Sequence, residues 1–481
     1  MFWRGVVGYL PVNIVQGVTG LLGIVVFTRL LSPAEFGVYA LAFSVTSLTY
    51  TLAFTWLEAA MARFYAAEAQ GERLPFHFVT IYQAFAWIAL AFPVPTALVL
   101  AFWPMSPSLK LAVGAGLASI IVRSLVKLTQ ERRRAAGDVR GAALTDIATT
   151  GGGFLVGAAF AWAGVGGAGP LAGVGVMAAL CLVVLLPLEL KRLKGGRYEP
   201  ARAARYAAYG IPVSLSLILA LAIATTDRFV LAAYWGEGAV GVYHAGYSLA
   251  NRTLDVLFIW LGMAGGPAAV AALERGGHKG LRPVAQEQAS FMVALTLPAA
   301  VGLALVARPL AEVMIGPALR TGAAQVTPWI AGGGFFAGFT TYYLHTAFTL
   351  GRRTRRLLVA MAIPALCNLA LTLVLIPRYG VEGAMWATFA AYALGAAASF
   401  GLGRGALPLP IPWSSVARSA IASGGMALAV LAVPAFGGFG ELMAKTAAGL
   451  AAYGALAFAL DICGLRSRGL GAMRGLRPRL A

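Results

Sequence analysis

The chain is short of charge, of acidic charge above all, and of cysteine. Of 481 residues 11% are charged, with 18 acidic against 37 basic, and three are cysteines. A soluble globular domain carries about 25% charged and about 45–50% apolar residues. Here 59% are hydrophobic and mean hydropathy is +0.79. That excess has to face something other than water, which excludes a soluble enzyme and a disordered chain. Cys181, Cys367 and Cys463 lie far apart inside apolar runs. An odd count without C-x₂-C spacing makes neither a disulfide framework nor a metal site, and they read as small apolar side chains. The four histidines are too dispersed to ligate a metal. Gly151–Gly153 and Gly332–Gly334 are not followed by Gly-Lys-Ser/Thr, so no phosphate loop exists, which argues against ATP use. No cofactor is expected; coupling to protons, to sodium or to neither stays open. What abounds is glycine (59), proline (24) and tryptophan (10), the profile of a polytopic membrane protein.

A spanning helix needs about 20 mostly apolar residues. Runs of that kind fall near 9–30, 37–57, 78–102, 111–130, 143–163, 171–190, 206–232, 239–263, 287–307, 326–349, 357–376, 381–402, 415–435 and 445–464. The expected fold is therefore all-α, with about fourteen transmembrane helices and no soluble domain. The first run is longer than a cleavable signal and reads as an uncleaved first helix.

The net charge of +19 could point to nucleic acid or to membrane topology. With a cytoplasmic N-terminus, 28 of the 37 basic residues fall in cytoplasmic segments, six on the opposite side, and three (Arg123, Arg228, Arg252) within spans. Lysine and arginine concentrate in cytoplasmic loops of membrane proteins. The bias fixes the expected orientation, with both termini cytoplasmic. It removes nucleic acid as a partner and leaves lipid headgroups as one.

The chain repeats itself. FTRLLSPAEFGVYALAFSV (27–45) is echoed by TDRFVLAAYWGEGAVGVYHAGYSL (226–249), and the Gly-Val-Tyr elements stand 204 residues apart. Tyr9-Leu-Pro-Val loosely matches Tyr209-Gly-Ile-Pro-Val. The basic runs Arg132–Arg134 and Arg352–Arg356 each separate the fourth and fifth helices of a half. Six spans restore the starting side, so the repeat is parallel, a pseudo-twofold about the membrane normal, with substrate expected between the halves. The expected organisation is a six-helix lobe over 1–195, a second over 196–405, and two additional helices with a basic tail over 406–481.

These residues resemble a known family. Thr28-Arg-Leu-Leu-Ser-Pro-Ala-Glu-Phe-Gly-Val-Tyr-Ala, Ala60-Met-Ala-Arg-Phe, Asn368 and Ile376-Pro-Arg-Tyr-Gly-Val-Glu-Gly-Ala-Met-Trp-Ala-Thr are similar to the polysaccharide-transport, Wzx-like branch of the MOP (multidrug/oligosaccharidyl-lipid/polysaccharide) exporter superfamily. The resemblance implies a flippase, not an enzyme. It would carry undecaprenyl-pyrophosphate-linked oligosaccharide (an O-antigen or exopolysaccharide unit) from the cytoplasmic to the periplasmic leaflet, by alternating access through a cationic cavity. It also implies lipid-linked oligosaccharide and polysaccharide polymerase or ligase machinery as partners.

A charge inside a bilayer costs several kcal/mol unless paired or hydrated, so each intramembrane charge is a functional candidate. Arg123 lies deep in the fourth helix, where a forked, permanently charged donor suits phosphate oxygens; pairing with a neighbouring helix is the structural alternative. Tyr243, Tyr247, Asn251 and Asp255 recur every four residues on one face of the eighth helix, with Arg252 beside them, either lining a cavity or self-neutralising. Asp255 and Asp227 are candidates for ion coupling. By the family resemblance Arg29 and Arg228 are candidates for phosphate or sugar contact, with interfacial anchoring as the alternative. Arg63, with Glu58, closes the second helix. Asn13, Gln16 and Gly20 share a face of the first. Three rivals remain: a lipid II exporter, a multidrug exporter of the same superfamily, and a polytopic glycan polymerase or ligase. The cationic candidates argue against cationic drugs. The longest outer segment, 308–325, holds one carboxylate, Glu312, which is little for an enzyme acting outside.

Overall fold

The computed structural model describes residues 2–467, with side chains described for all of these except 2–11, 13, 14, 220, 223, 264 and 354. The side chains of Arg4 and Asn13 and the tail arginines at 468, 474, 477 and 479 lie outside what the structure describes. Every regular element among the described residues is helical. Eight helices are long and apolar enough to cross a membrane, and several contain more than one pass. The helix α11 (Thr226–Leu305) has 80 residues, about 120 Å if straight, four times a bilayer core. It turns at Gly236 and Gly277, whose φ values of 77° and 55° leave the helical region. The run Thr354–Arg404 (α15) turns in the same way at Gly380, φ 56° and ψ −127°. Glycine populates that region at little steric cost. Taking Gly164, Gly236, Gly277 and Gly380 as breaks along with the loops, the described residues make fourteen helical passes.

The remaining elements follow in order. They are α1 (Phe2–Leu30), α2 (Pro33–Ala53), α3 (Thr55–Gln70), α4 (Leu74–Ala91), α5 (Pro93–Phe102), α6 (Pro107–Ala135), α7 (Val139–Ile147), α8 (Gly153–Phe160), α9 (Gly169–Arg192) and α10 (Pro200–Ile223). Beyond α11 come α12 (Ala307–Met314), α13 (Arg320–Phe339), α14 (Thr346–Leu350), α15, α16 (Trp413–Leu431) and α17 (Gly438–Ala459). The repeated Ser-Pro-Ala-Glu-Phe stretch has a local cause. Ser32 caps α2, Pro33 occupies its first turn, and the Glu35 side chain reaches back to the Ser32 backbone. That reciprocal box satisfies N–H groups that a helix start leaves unpaired.

The chain divides into two compact units, Met1–Gly241 and Val242–Ala481. In the first, α2, α3, α4 and α6 enclose an apolar core including Phe54, Leu57, Met61, Ile81, Leu117 and Ile120. Within this unit Gly37 and Gly241, the glycines of the two Gly-Val-Tyr elements, approach backbone to backbone. A Cβ on Gly37 would overlap the Glu237 carbonyl, and one on Gly241 the Pro33 carbonyl. In the second unit α16 and α17 pack together, and Ala294, Ala422, Ala457 and Ile462 form an apolar cluster there. Tyr453 donates to the Ala294 carbonyl at 2.6 Å. The three cysteines are free thiols and only half-buried, not enclosed.

Candidate functional site

Helix α6 presents two polar faces with different fates. Arg132 points to one of them. Its Nε lies 2.8 Å from a Glu189 oxygen, with both side chains 4% exposed. Tyr82 donates to the same carboxylate at 3.0 Å. A second closed cluster sits at Glu68, which Arg202 reaches at 2.6 Å and Arg205 at 2.7 Å. Burial pulls the Arg202 guanidinium down, and Glu68, Glu199 and Tyr206 more than offset it, so its net direction is up. These arginines are committed to carboxylates, and removing one partner would strand a buried charge.

The opposite face carries Arg123, Lys127, Glu131 and Arg134, spaced four, four and three residues apart and so aligned along one stripe. At its C-terminal end the stripe meets Asp146 on α7, which is 1% exposed. Arg134 Nη2 approaches Asp146 at 3.0 Å and Lys127 Nζ at 3.8 Å. Gln16 of α1 donates to it at 3.2 Å and Thr150 at 3.3 Å. Arg134 also pairs with Glu131 at 2.5 Å. Further along, Glu58 accepts the Tyr50 hydroxyl, and Glu131, Lys127 and Arg134 are the charges nearest it. Arg123 occupies the far end, half-buried, with Tyr50 and Tyr39 of α2 as its electrostatic neighbours. Among the described residues Arg123 is the one cation on this stripe with no carboxylate within 4 Å. It is a forked donor held in a polar wall and left available, the arrangement that suits a phosphate.

The other candidates are placed differently. Asp227 and Arg228 are buried; Asp227 accepts the Arg228 backbone N–H at 2.8 Å, and Arg228 Nη1 donates to Ser44 at 3.3 Å. Arg228 thus leans on α2 at Ser44, and Arg123 neighbours Tyr39 and Tyr50 of the same helix. Arg29 is exposed and donates to the Val25 carbonyl of its own helix at 2.7 Å. Arg63 is exposed, 5.9 Å from the Phe64 ring centre. In the second unit Tyr243 is buried and hydrogen-bonds Thr388 at 3.0 Å, with the Tyr247 ring 5.8 Å away. Asn251 donates to Asp255 at 2.6 Å. Asn251 makes the hydrogen bond to Asp255, and Arg252 acts on the same carboxylate through its charge. Sequence reasoning passed over Asp146 and treated Lys127 and Arg134 as topology determinants. A carboxylate within the Gly-rich run 143–163 was the signal that could have found them. Among the described residues no group of three or more His, Cys, Asp or Glu is placed to hold a metal.

The chain has counterparts among known proteins at the level of family and fold. Residues 26–320 match the family model described as "Polysaccharide biosynthesis protein". No curated protein matches the chain. Among solved structures it is similar to the lipid II flippase MurJ in an inward closed conformation. The TM-score is 0.76 at 14% identity, covering 94% of this chain and 98% of that one. It is also similar to an inward-facing multidrug resistance MATE family transporter of the MOP superfamily. There the TM-score is 0.64 at 14% identity, over 82% of this chain and 93% of that one. At such identity the likeness is one of fold, a multi-pass, all-helical membrane fold. With the family model matching more than half its length, the chain belongs to the polysaccharide biosynthesis protein family and has the fold of the MOP transporters.

Proposed function

We propose that the chain is a flippase that moves a phosphate-linked lipid glycan from the cytoplasmic to the periplasmic leaflet of a bacterial inner membrane, and that Arg123 contacts the phosphate. The observation that carries this reading is the stripe on α6. Lys127 and Arg134 are tied to Asp146, and Arg123 stands beyond them without a carboxylate. An intramembrane guanidinium costs about 2.5–3.5 kcal/mol at a helix centre. A phosphate offers it a bidentate, charge-assisted partner. Membership of a polysaccharide biosynthesis family supports a glycan cargo. MurJ, a lipid II flippase, makes a lipid-linked cargo compatible with the fold.

The test is leaflet-resolved. In cells lacking the gene and any paralogue, lipid-linked oligosaccharide accumulates on the cytoplasmic leaflet. Wild-type protein clears it and Arg123→Ala, expressed at the same level, does not. Clearance at the normal rate in the deletion strain would defeat the flippase reading. Normal clearance by Arg123→Ala would remove Arg123 from it.

A further inference from the structure

A second concentration of positive charge lies in the second unit, outside the stripe just described. Two adjoining clefts of about 470 and 290 Å³ open beside the Pro-rich segment 408–412. His278, Lys279 and Arg282 line one and Arg282, Arg404, Phe400 and Trp413 the other, with Arg282 common to both. Among the described residues Lys279, Arg282 and Arg404 have no carboxylate within 4 Å. The Arg404 guanidinium instead sits 4.5 Å from the Phe400 ring centre, and the Trp413 ring meets Phe400 edge-on at 6.5 Å. The cleft also borders the start of α16, a 19-residue helix that no side chain caps. Its first-turn N–H groups and the positive end of its dipole add to the same field. Both contributing segments are ones whose basic residues assign them to the cytoplasmic side.

We infer that this cleft binds a phosphate anion at the cytoplasmic membrane surface, with Arg282 and Arg404 as its forked donors and Lys279 at its mouth. Three features converge on that chemistry. The cations are unmatched, the cavity is large enough for a phosphate and its ester substituents, and Trp413 is 66% exposed, as a side chain that sits at headgroup level would be. Basic pockets between helices on this side of a membrane take anionic headgroups. The inference is independent of which cargo the chain moves.

The experiment uses the purified full chain in micelles of a phosphate-free maltoside detergent. Phosphatidylglycerol or inorganic pyrophosphate is titrated in, and binding is read by native mass spectrometry and by the rise in melting temperature. Arg282→Gln/Arg404→Gln is compared with Arg353→Gln/Arg355→Gln, which removes the same charge from a neighbouring cytoplasmic loop. Wild type and the loop variant should bind alike, and the cleft variant about tenfold or more weakly. Binding of phosphatidylglycerol without competition from pyrophosphate identifies a headgroup. Binding of pyrophosphate alone identifies a soluble anion. Equal binding by wild type and the cleft variant, or equal loss in both variants, overturns the proposal. Lys279→Gln, at the open rim, provides a milder second variant should the double substitution unfold. It should weaken binding by a few-fold, and an unchanged affinity there together with an unfolded double variant would also count against the site.

Discussion

The two units handle charge in opposite ways. The first carries its charges inside and cancels most of them: Arg132 with Glu189, Arg202 and Arg205 with Glu68, Arg134 and Lys127 with Asp146. The second leaves Lys279, Arg282 and Arg404 of its cleft without a carboxylate, though it buries one matched pair, Lys445 with Glu441. Its ion pairs among the described residues are Arg308–Glu312 and Lys445–Glu441, each within one helix turn. The physics of the two settings differs. An unmatched cation inside is costly and therefore informative, which singles out Arg123. An unmatched cation in water costs little. The cleft at Arg282 gains meaning only through its cavity, its aromatic partners and the uncapped start of α16.

The largest effect should come from opening a closed cluster. Glu189→Ala leaves Arg132 buried without its carboxylate and the Tyr82 hydroxyl without its acceptor. The expected loss is about 3–5 kcal/mol, read as a large fall in melting temperature or in yield of folded protein. Arg123→Lys should behave in the reverse sense. It keeps the charge and loses the fork, so transport falls by about tenfold and stability changes by less than about 1 kcal/mol. Equal destabilisation by the two substitutions would erase the distinction between closed and available charge.

Much of the fold was legible in the sequence because its causes are local. Apolar runs of bilayer length predicted the passes, and Ser32-Pro33 with Glu35 marked a helix start that the structure shows as a capping box. The passes overrun the predicted spans where polar residues continue a helix into water, as α2 and α3 do between Pro33 and Gln70 with a single break at Phe54. The site was legible only in part. Arg123 stood out because it lies mid-span. Asp146, 23 residues later, was lost among glycines and flexible-looking sequence. Its meeting with Lys127, Arg134 and Gln16 depends on how α1, α6 and α7 pack, which no single-helix period encodes. The eighth-helix stripe shows the same limit from the other side. Its period was read correctly, yet Tyr243 is spent on Thr388 and Asp255 is held by Asn251.

In the second unit, removing one partner should cost far less than Glu189→Ala does. Asn251→Ala deletes the amide that holds the Asp255 carboxylate. Asp255 is exposed rather than enclosed by protein, and the expected change is about 1 kcal/mol or less in unfolding free energy. A loss as large as that of the buried cluster would show that Asp255 is enclosed when the protein works.

The smallest effect lies where α12 meets α17 in the same unit. Glu312 accepts the backbone N–H of Gly438 at 2.8 Å and pairs with Arg308 at 3.1 Å, tying α12 to the start of α17. The Gly438 N–H, and after burial has opposed it the Arg308 guanidinium, hold the Glu312 carboxyl below its usual range. A carboxylate depressed in the folded state stabilises above its unfolded value and loses that contribution as pH falls through the folded one. The Gly438 amide should therefore exchange slowly at neutral pH and faster, relative to neighbouring amides, below about pH 4. Glu312→Gln should show the faster relative rate at every pH. Because the pair is at the surface, global stability should move by no more than a few tenths of a kcal/mol. An exchange rate at Gly438 that ignores both pH and Glu312→Gln would mean that α12 and α17 are joined by packing alone, leaving the second unit with no ion-assisted tie between helices among its described residues.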